Sequence, residues 1–247
     1  MATVKDIYNY IDSFAPFSTQ AEWDNSGLLV GNENKIVNKI IFALDVTSDV
    51  IEQAKNIDAD LIITHHPVIF KPVSRVLNDS LIYKLIDNNI SIICAHTNYD
   101  KAIEGVNDIL CNTINADKFE KIDDTFLNIA LFKNTYTAEE FANYLKIKLN
   151  GSVRFNNLNK DINKIAVCSG SGSDYLEQAH ELGCDALLTG DASHHSFLDA
   201  NEMGVVLFAA GHFETEMIAI KPLSDRIEKE FKISCVLAEQ STPIITI

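Results

Sequence analysis

The sequence predicts an α/β protein made of two internally duplicated strand–helix repeats. Three observations carry that prediction. Short apolar runs such as Leu61-Ile62-Ile63 alternate with longer segments whose apolar residues recur at helical spacing. Residues 38–64 align without a gap on residues 163–189, at a constant offset of 125, with ten of 27 positions identical. The identities include polar residues that a strand–helix–strand pattern does not force, among them Ser48-Asp49 on Ser173-Asp174, Asp60 on Asp185 and Thr64 on Thr189. Thirdly, most of the histidines fall where the apolar runs stop.

Each element has a local reason. Val4, Ile7, Tyr8, Ile11 and Phe14 mark a helix over 4–14 that Pro16 ends. Strands are expected at 28–30, 39–45, 60–64 and 91–95, with helices at about 48–56, 78–88 and 105–115 between and after them. Thr47 or Ser48 caps the helix over 48–56. The charged segment 118–124 reads as a link between the halves. Beyond it come strands at 126–132, 152–155, 165–168, 186–189, 205–210 and 233–237. Thr137 caps a helix to Leu149, Gly170-Ser171-Gly172-Ser173 turns into a helix ending at Leu182, and a helix is expected over 214–231. Two repeats follow, 1–125 and 126–247, with approximate boundaries.

Composition removes several classes. The 20 Lys+Arg against 35 Asp+Glu leave a net charge of −15, which argues against nonspecific nucleic-acid binding. No apolar run approaches a membrane span, and the N-terminus lacks a signal-peptide pattern. The cysteines Cys94, Cys111, Cys168, Cys184 and Cys235 are odd in number and none is in CxxC spacing, which fits a reducing, cytoplasmic setting.

The chemistry is concentrated in the histidines. His65 and His66 end the strand over 60–64, and Pro67 stops the ladder there. Two histidines inside a strand would point to opposite faces; at its end both imidazoles can turn toward one point. His96 follows the strand over 91–95, with Asp100 four residues on; His212 follows the strand over 205–210, with Glu216 four residues on. If the chain turns helical there, each pair lies on one face. In open α/β sheets sites form at the carboxyl ends of strands. Imidazole and carboxylate suit Zn, Mn or Fe without thiolate, and four histidines with two carboxylates exceed one four-coordinate site. Two divalent ions are expected instead. Asp45 is either an outer carboxylate or part of a turn. Asp24 and Asn25, beside the single tryptophan, Trp23, either orient a ligand or cap a loop. His194 and His195 are candidates for substrate or outer contacts, with Asp191 as the cap of their helix. His180 reads as surface. Gly170–Ser173 lacks the lysine of a P-loop and reads as a tight turn rather than a phosphate cradle.

Taken together, Glu22-Trp23-Asp24-Asn25-Ser26-Gly27-Leu28, Leu44-Asp45-Val46-Thr47, Thr64-His65-His66-Pro67, Ala95-His96-Thr97-Asn98-Tyr99-Asp100, Gly190-Asp191 with His194-His195, and Gly211-His212 with Glu216 resemble the Nif-three-like dinuclear metal-centre family. Its bacterial members are named GTP cyclohydrolase I type 2 homologues. The resemblance runs from about residue 5 to 245; Gly211-His212-Phe213-Glu214 departs from the family's Gly-His-Tyr-Ala form. It implies two intertwined repeats with mixed sheets, and a dinuclear centre between them held by His65, His66, His96, Asp100, His212 and Glu216. It also implies assembly into a homohexamer. The functional expectation is a metal-dependent hydrolase acting on a nucleotide-like or phosphoester substrate. The alternative is a non-catalytic metal-binding assembly, regulatory or metallochaperone protein.

Overall fold

The structure, a computed structural model, describes residues 1–245. In chain order the first strands and helices are α1 (Val4–Phe14), β1 (Gly27–Val30), β2 (Lys39–Ala43), α2 (Ser48–Asn56), β3 (Leu61–Thr64), α3 (Leu81–Asp87), β4 (Ser91–Cys94), α4 (Thr97–Lys101) and α5 (Val106–Thr113). There follow β5 (Lys118–Lys121), β6 (Asn128–Tyr136), α6 (Ala138–Leu149), β7 (Arg154–Phe155), β8 (Ile162–Val167), α7 (Leu176–Glu181), β9 (Ala186–Thr189), α8 (His194–Met203), β10 (Val206–Ala209), α9 (His212–Glu216), α10 (Ile220–Phe231) and β11 (Ser234–Leu237). They form two compact units, residues 1–103 with 219–241, and residues 104–218 with 242–245.

The first unit holds a mixed five-stranded sheet in the order β1-β4-β3-β2-β11. β4, β3, β2 and β11 run parallel, and β1 pairs antiparallel with β4. Every residue of β3 and β4 is buried, as a strand covered on both faces requires. The second unit holds a mixed six-stranded sheet, β5-β6-β8-β9-β10-β7. β8, β9 and β10 are parallel, while β5, β6 and β7 join antiparallel. An antiparallel strand, a parallel trio and the same order therefore occur in both sheets: β1-β4-β3-β2 and β7-β10-β9-β8.

Positions related by the offset of 125 make the same bonds. Asp60 accepts the Asn38 amide at 2.8 Å, and Asp185 accepts the Asn163 amide at 3.1 Å. Lys39 donates its ammonium to the Ile57 carbonyl, and Lys164 does so to Leu182. Lys35 and Lys160 lie 3.3 and 3.9 Å from the Asp60 and Asp185 carboxylates. These bonds tie each parallel trio's first strand to the loop behind it, and so set where the strands' carboxyl ends fall.

Several details differ from the sequence expectation. Lys118–Lys121 is not a free linker but the edge strand β5, paired with β6. Its alternating burial puts Phe119 against the core and Lys121, on the same face, 2.7 Å from the buried Asp108 carboxylate, while Lys118 and Glu120 face out. The first compact unit runs to Ile103, and α10 and β11 return to it. The helix expected over 214–231 is two helices, α9 and α10, with a short 3-10 turn at Met217–Ala219 between them. The cap of α8 is Ser193, whose hydroxyl accepts the Ser196 amide, not Asp191.

Candidate metal centre

In the first unit the ladder carries two residues past β3. The His65 amide donates to Ala43 and the His66 amide to Leu44, while the Thr64 hydroxyl donates to the His66 carbonyl. The backbone leaves the sheet there, and the imidazoles converge with ring centroids 5.2 Å apart. His96, which precedes α4, comes within 5.1 Å of His65 and 5.5 Å of His66 by ring centroid. One ring nitrogen from each of the three lies within 4.8 Å of the others, so the trio could hold a metal ion. Asp100, on α4, brings a carboxylate oxygen to 3.5 Å from His65 Nε2. That distance is long for a hydrogen bond and close to the span of two atoms each about 2.0–2.1 Å from a common ion.

The hydrogen bonds fix which nitrogen faces inward. His65 Nδ1 lies 2.9 Å from the Ala95 carbonyl, which can only accept, so Nδ1 carries the proton. His66 Nδ1 lies 2.7 Å from Asp45 Oδ1, and His96 Nδ1 lies 2.7 Å from Asp24 Oδ1. In all three rings Nε2 is thereby the atom that presents a lone pair, the arrangement found around metal-ligating histidines. The donor set and its tautomers fit a divalent cation.

Asp24 is the more deeply held orienter. Its side chain is fully buried and also accepts from the Thr97 hydroxyl and amide, the Ser26 hydroxyl and the Asn25 amide. Burial works against its ionised form, but the bonds from His96, Thr97 and the Asn25 amide outweigh it. The carboxyl is held well below the usual carboxylate range. Asp45 is half exposed, and its backbone turn is gripped by Gln240, which accepts the Leu44 amide and donates to the Asp45 carbonyl. Asn25 acts as a clasp between loops: its side-chain amide donates to the Ile69 carbonyl at 2.6 Å.

The second unit places His212 and Glu216 one turn apart on α9, with His212 Nε2 3.0 Å from Glu216 Oε2. His212 Nδ1 lies 2.7 Å from Asp191 Oδ2, so Asp191 orients an imidazole, as Asp24 and Asp45 do in the first unit. Two glycines make the room. Gly170 has φ +59°, and a Cβ there would lie 2.1 Å from Glu216 Oε1. A Cβ on Gly190 would come within 2.7 Å of the His212 Cα. The amides of Gly170 and Gly172 are taken by the Thr215 and Thr189 hydroxyls. His194 and His195 are exposed at the start of α8, their rings 5.8 Å apart. His180 is exposed.

Sequence reasoning missed Asp191 and Gln240 in these roles. Asp191 had a usable signal, because the offset of 125 puts it opposite His66 at a strand's carboxyl end. Gln240 had none, lying 196 residues from the amide it caps.

The thiols stand apart from this chemistry. All five cysteines are free, and four are buried. Cys94 donates to the His65 carbonyl at 2.9 Å, and burial, with the Asp24 charge, pushes its pKa well above the ordinary value. Burial pushes the Cys111 and Cys235 thiols up to about 12.

An α/β framework whose parallel strands end in imidazoles, each turned by a carboxylate or carbonyl, defines a protein with side-chain groups that could hold a metal ion. The chain belongs to the Duf34/NIF3 (NGG1p interacting factor 3) family, whose model matches residues 2–243. A Clostridium acetobutylicum protein named GTP cyclohydrolase 1 type 2 homolog is 36% identical over 239 residues, covering 91% of this chain and 89% of its own. A Helicobacter pylori protein named GTP cyclohydrolase 1 type 2 is 33% identical over 224 residues, covering 87% and 88%. Among solved structures, Staphylococcus aureus protein SA1388 superposes with a TM-score of 0.93 at 29% identity, covering 100% of this chain and 99% of that one. No helix among the described residues is long and apolar enough to cross a membrane.

Proposed function

We propose that this protein is a metal-dependent hydrolase that carries two divalent ions per chain, Zn, Fe or Mn. Its ligands are His65, His66, His96, Asp100, His212 and Glu216, and its substrate is nucleotide-like or a phosphoester. One observation carries the reading: four imidazoles at strand ends each commit Nδ1 to a carboxylate or carbonyl and so present Nε2. Such ions, when bound, supply Lewis-acid polarisation of a carbonyl or phosphoryl oxygen and lower the pKa of water. The chain's own part is to orient. Asp24, Asp45 and Asp191 hold three rings in one tautomer and raise their basicity, while the Ala95 carbonyl does so for His65. The names of the relatives favour a purine nucleotide, attacked at the imidazole-ring carbon, as one substrate. Self-association as a homohexamer belongs to the same proposal.

The test is turnover by metal-loaded protein on GTP, other nucleotides and phosphodiesters. The reading requires hydrolysis above the background of His65→Ala; the same rate in both proteins would overturn it. A second reading is favoured by the family's own description, which is that of an interacting factor and not of an activity. In it the metals serve assembly, regulation or metal delivery. Chelation would then change assembly or partner binding while no substrate turned over.

A further inference from the structure

Two aromatic side chains beside the first unit's histidines are left open to solvent. Trp23 is 60% exposed and Phe70 48% exposed, and their ring centroids are 5.9 Å apart with the planes tilted by 52°. Trp23 also stands edge-on to His96, at 6.1 Å. Exposed aromatic area of this size is unfavourable unless something covers it.

The pair is also held firmly. The residue after Trp23 is Asp24, fastened by its bonds to His96, Thr97, Ser26 and Asn25, and the Asp24 amide donates to Ala21. The residue before Phe70 is Ile69, whose carbonyl accepts the Asn25 side chain. One clasp therefore joins the two loops that carry the rings. A rigid aromatic pair loses little conformational freedom when a flat group settles on it. Its neighbours are imidazole, amide and carboxylate groups, which suit a flat ligand with polar edges better than an apolar side chain.

We infer that Trp23 is a stacking platform for a planar heteroaromatic ring, a purine base, with the tilted Phe70 ring closing on the base from the side, and that the pair holds the substrate beside the histidine cluster. The inference rests on the proposed nucleotide-like substrate and adds the element that recognises its base. Stacking suits this task because every base offers a π-face.

Trp23 is the single tryptophan, so its emission reports on this position alone. Guanosine 5′-monophosphate and ribose 5-phosphate are titrated into the metal-loaded full-length protein. The base-containing ligand is expected to quench Trp23 saturably, and ribose 5-phosphate is not. Phe70→Ala should weaken binding about ten- to hundredfold. By calorimetry Trp23→Ala should lose a similar factor, and Trp23→Phe should keep most of the binding.

Equal quenching by the two ligands, or wild-type affinity in Phe70→Ala and Trp23→Ala, would overturn the inference. Emission that follows protein concentration and ignores nucleotide would overturn it too, and would assign the pair to a contact between copies. Metal content and phosphodiester turnover are measured on the same preparations. If both persist without base-dependent binding, the platform is refuted and the hydrolase reading stands. If the wild type takes up no metal, the hydrolase reading fails and this inference falls with it.

Discussion

His66 and His96 present the same atom for the same reason, yet their carboxylates sit in different surroundings. Asp45 is half exposed and Asp24 fully buried. The two can therefore be separated by mutation. Asp45→Ala should lower metal affinity about 10–100-fold, because His66 loses its orienting acceptor. The same change should move folding stability by no more than about 0.5 kcal/mol, as expected of a surface substitution. Metal titration alongside urea unfolding reads both, and a stability loss matching the affinity loss would contradict it. Asp24→Ala should instead cost about 3 kcal/mol, since several bonds to a buried charge go at once.

Asp24 also fixes a pH dependence. Its native pKa lies below the unfolded value near 3.9, so its stabilisation is complete above about pH 4–5. It is lost as pH falls from there through the depressed native value. Acid unfolding of the wild type should therefore be steeper between about pH 4 and pH 2 than that of Asp24→Ala. Parallel acid-unfolding curves would contradict this.

At the scale of elements, the parallel trios β2-β3-β4 and β8-β9-β10 use one set of ties. Asp60 and Asp185 each accept an amide at the start of their trio, and each faces a lysine 125 residues from its counterpart. Asp60→Ala should reduce hydrogen-exchange protection of the Ile40–Phe42 amides, and Asp185→Ala that of the Ile165–Val167 amides. Each variant should cost about 1–2 kcal/mol, the value of one or two charge-assisted bonds that are partly exposed. Unchanged protection in either sheet would deny the equivalence.

The strand-end chemistry differs although these ties are shared. The offset of 125 sets His65 and His66 against Gly190 and Asp191. Gly190 clears space for His212, and Asp191 takes the orienting role that Asp45 has beside His66. A strand end that carries a histidine pair in one unit thus carries a spacer and an orienter in the other.

Across the whole molecule, the parallel strands and the histidine positions were legible because both rest on local pattern. Leu61–Thr64 is too apolar and short to be anything but a buried strand, and Pro67 marks its end. Asp24 could be suspected from sequence but not assigned, because its partner His96 lies 72 residues away. β5 was misread as a linker because an edge strand needs only one apolar face, and four residues show too little alternation to betray it. The break between α9 and α10 did have a signal, Pro222, which a continuous helix over 214–231 would not tolerate in its interior and which sits in the first turn of α10.

The proposed function depends on two groups of ligands, His65, His66, His96 and Asp100 in the first unit and His212 and Glu216 in the second. Metal content per chain, measured by elemental analysis of the wild type, His66→Ala and Glu216→Ala, tests that most directly. Two ions per wild-type chain, falling to one or fewer in both variants, is the result the account requires. Metal content unchanged in both variants would contradict it.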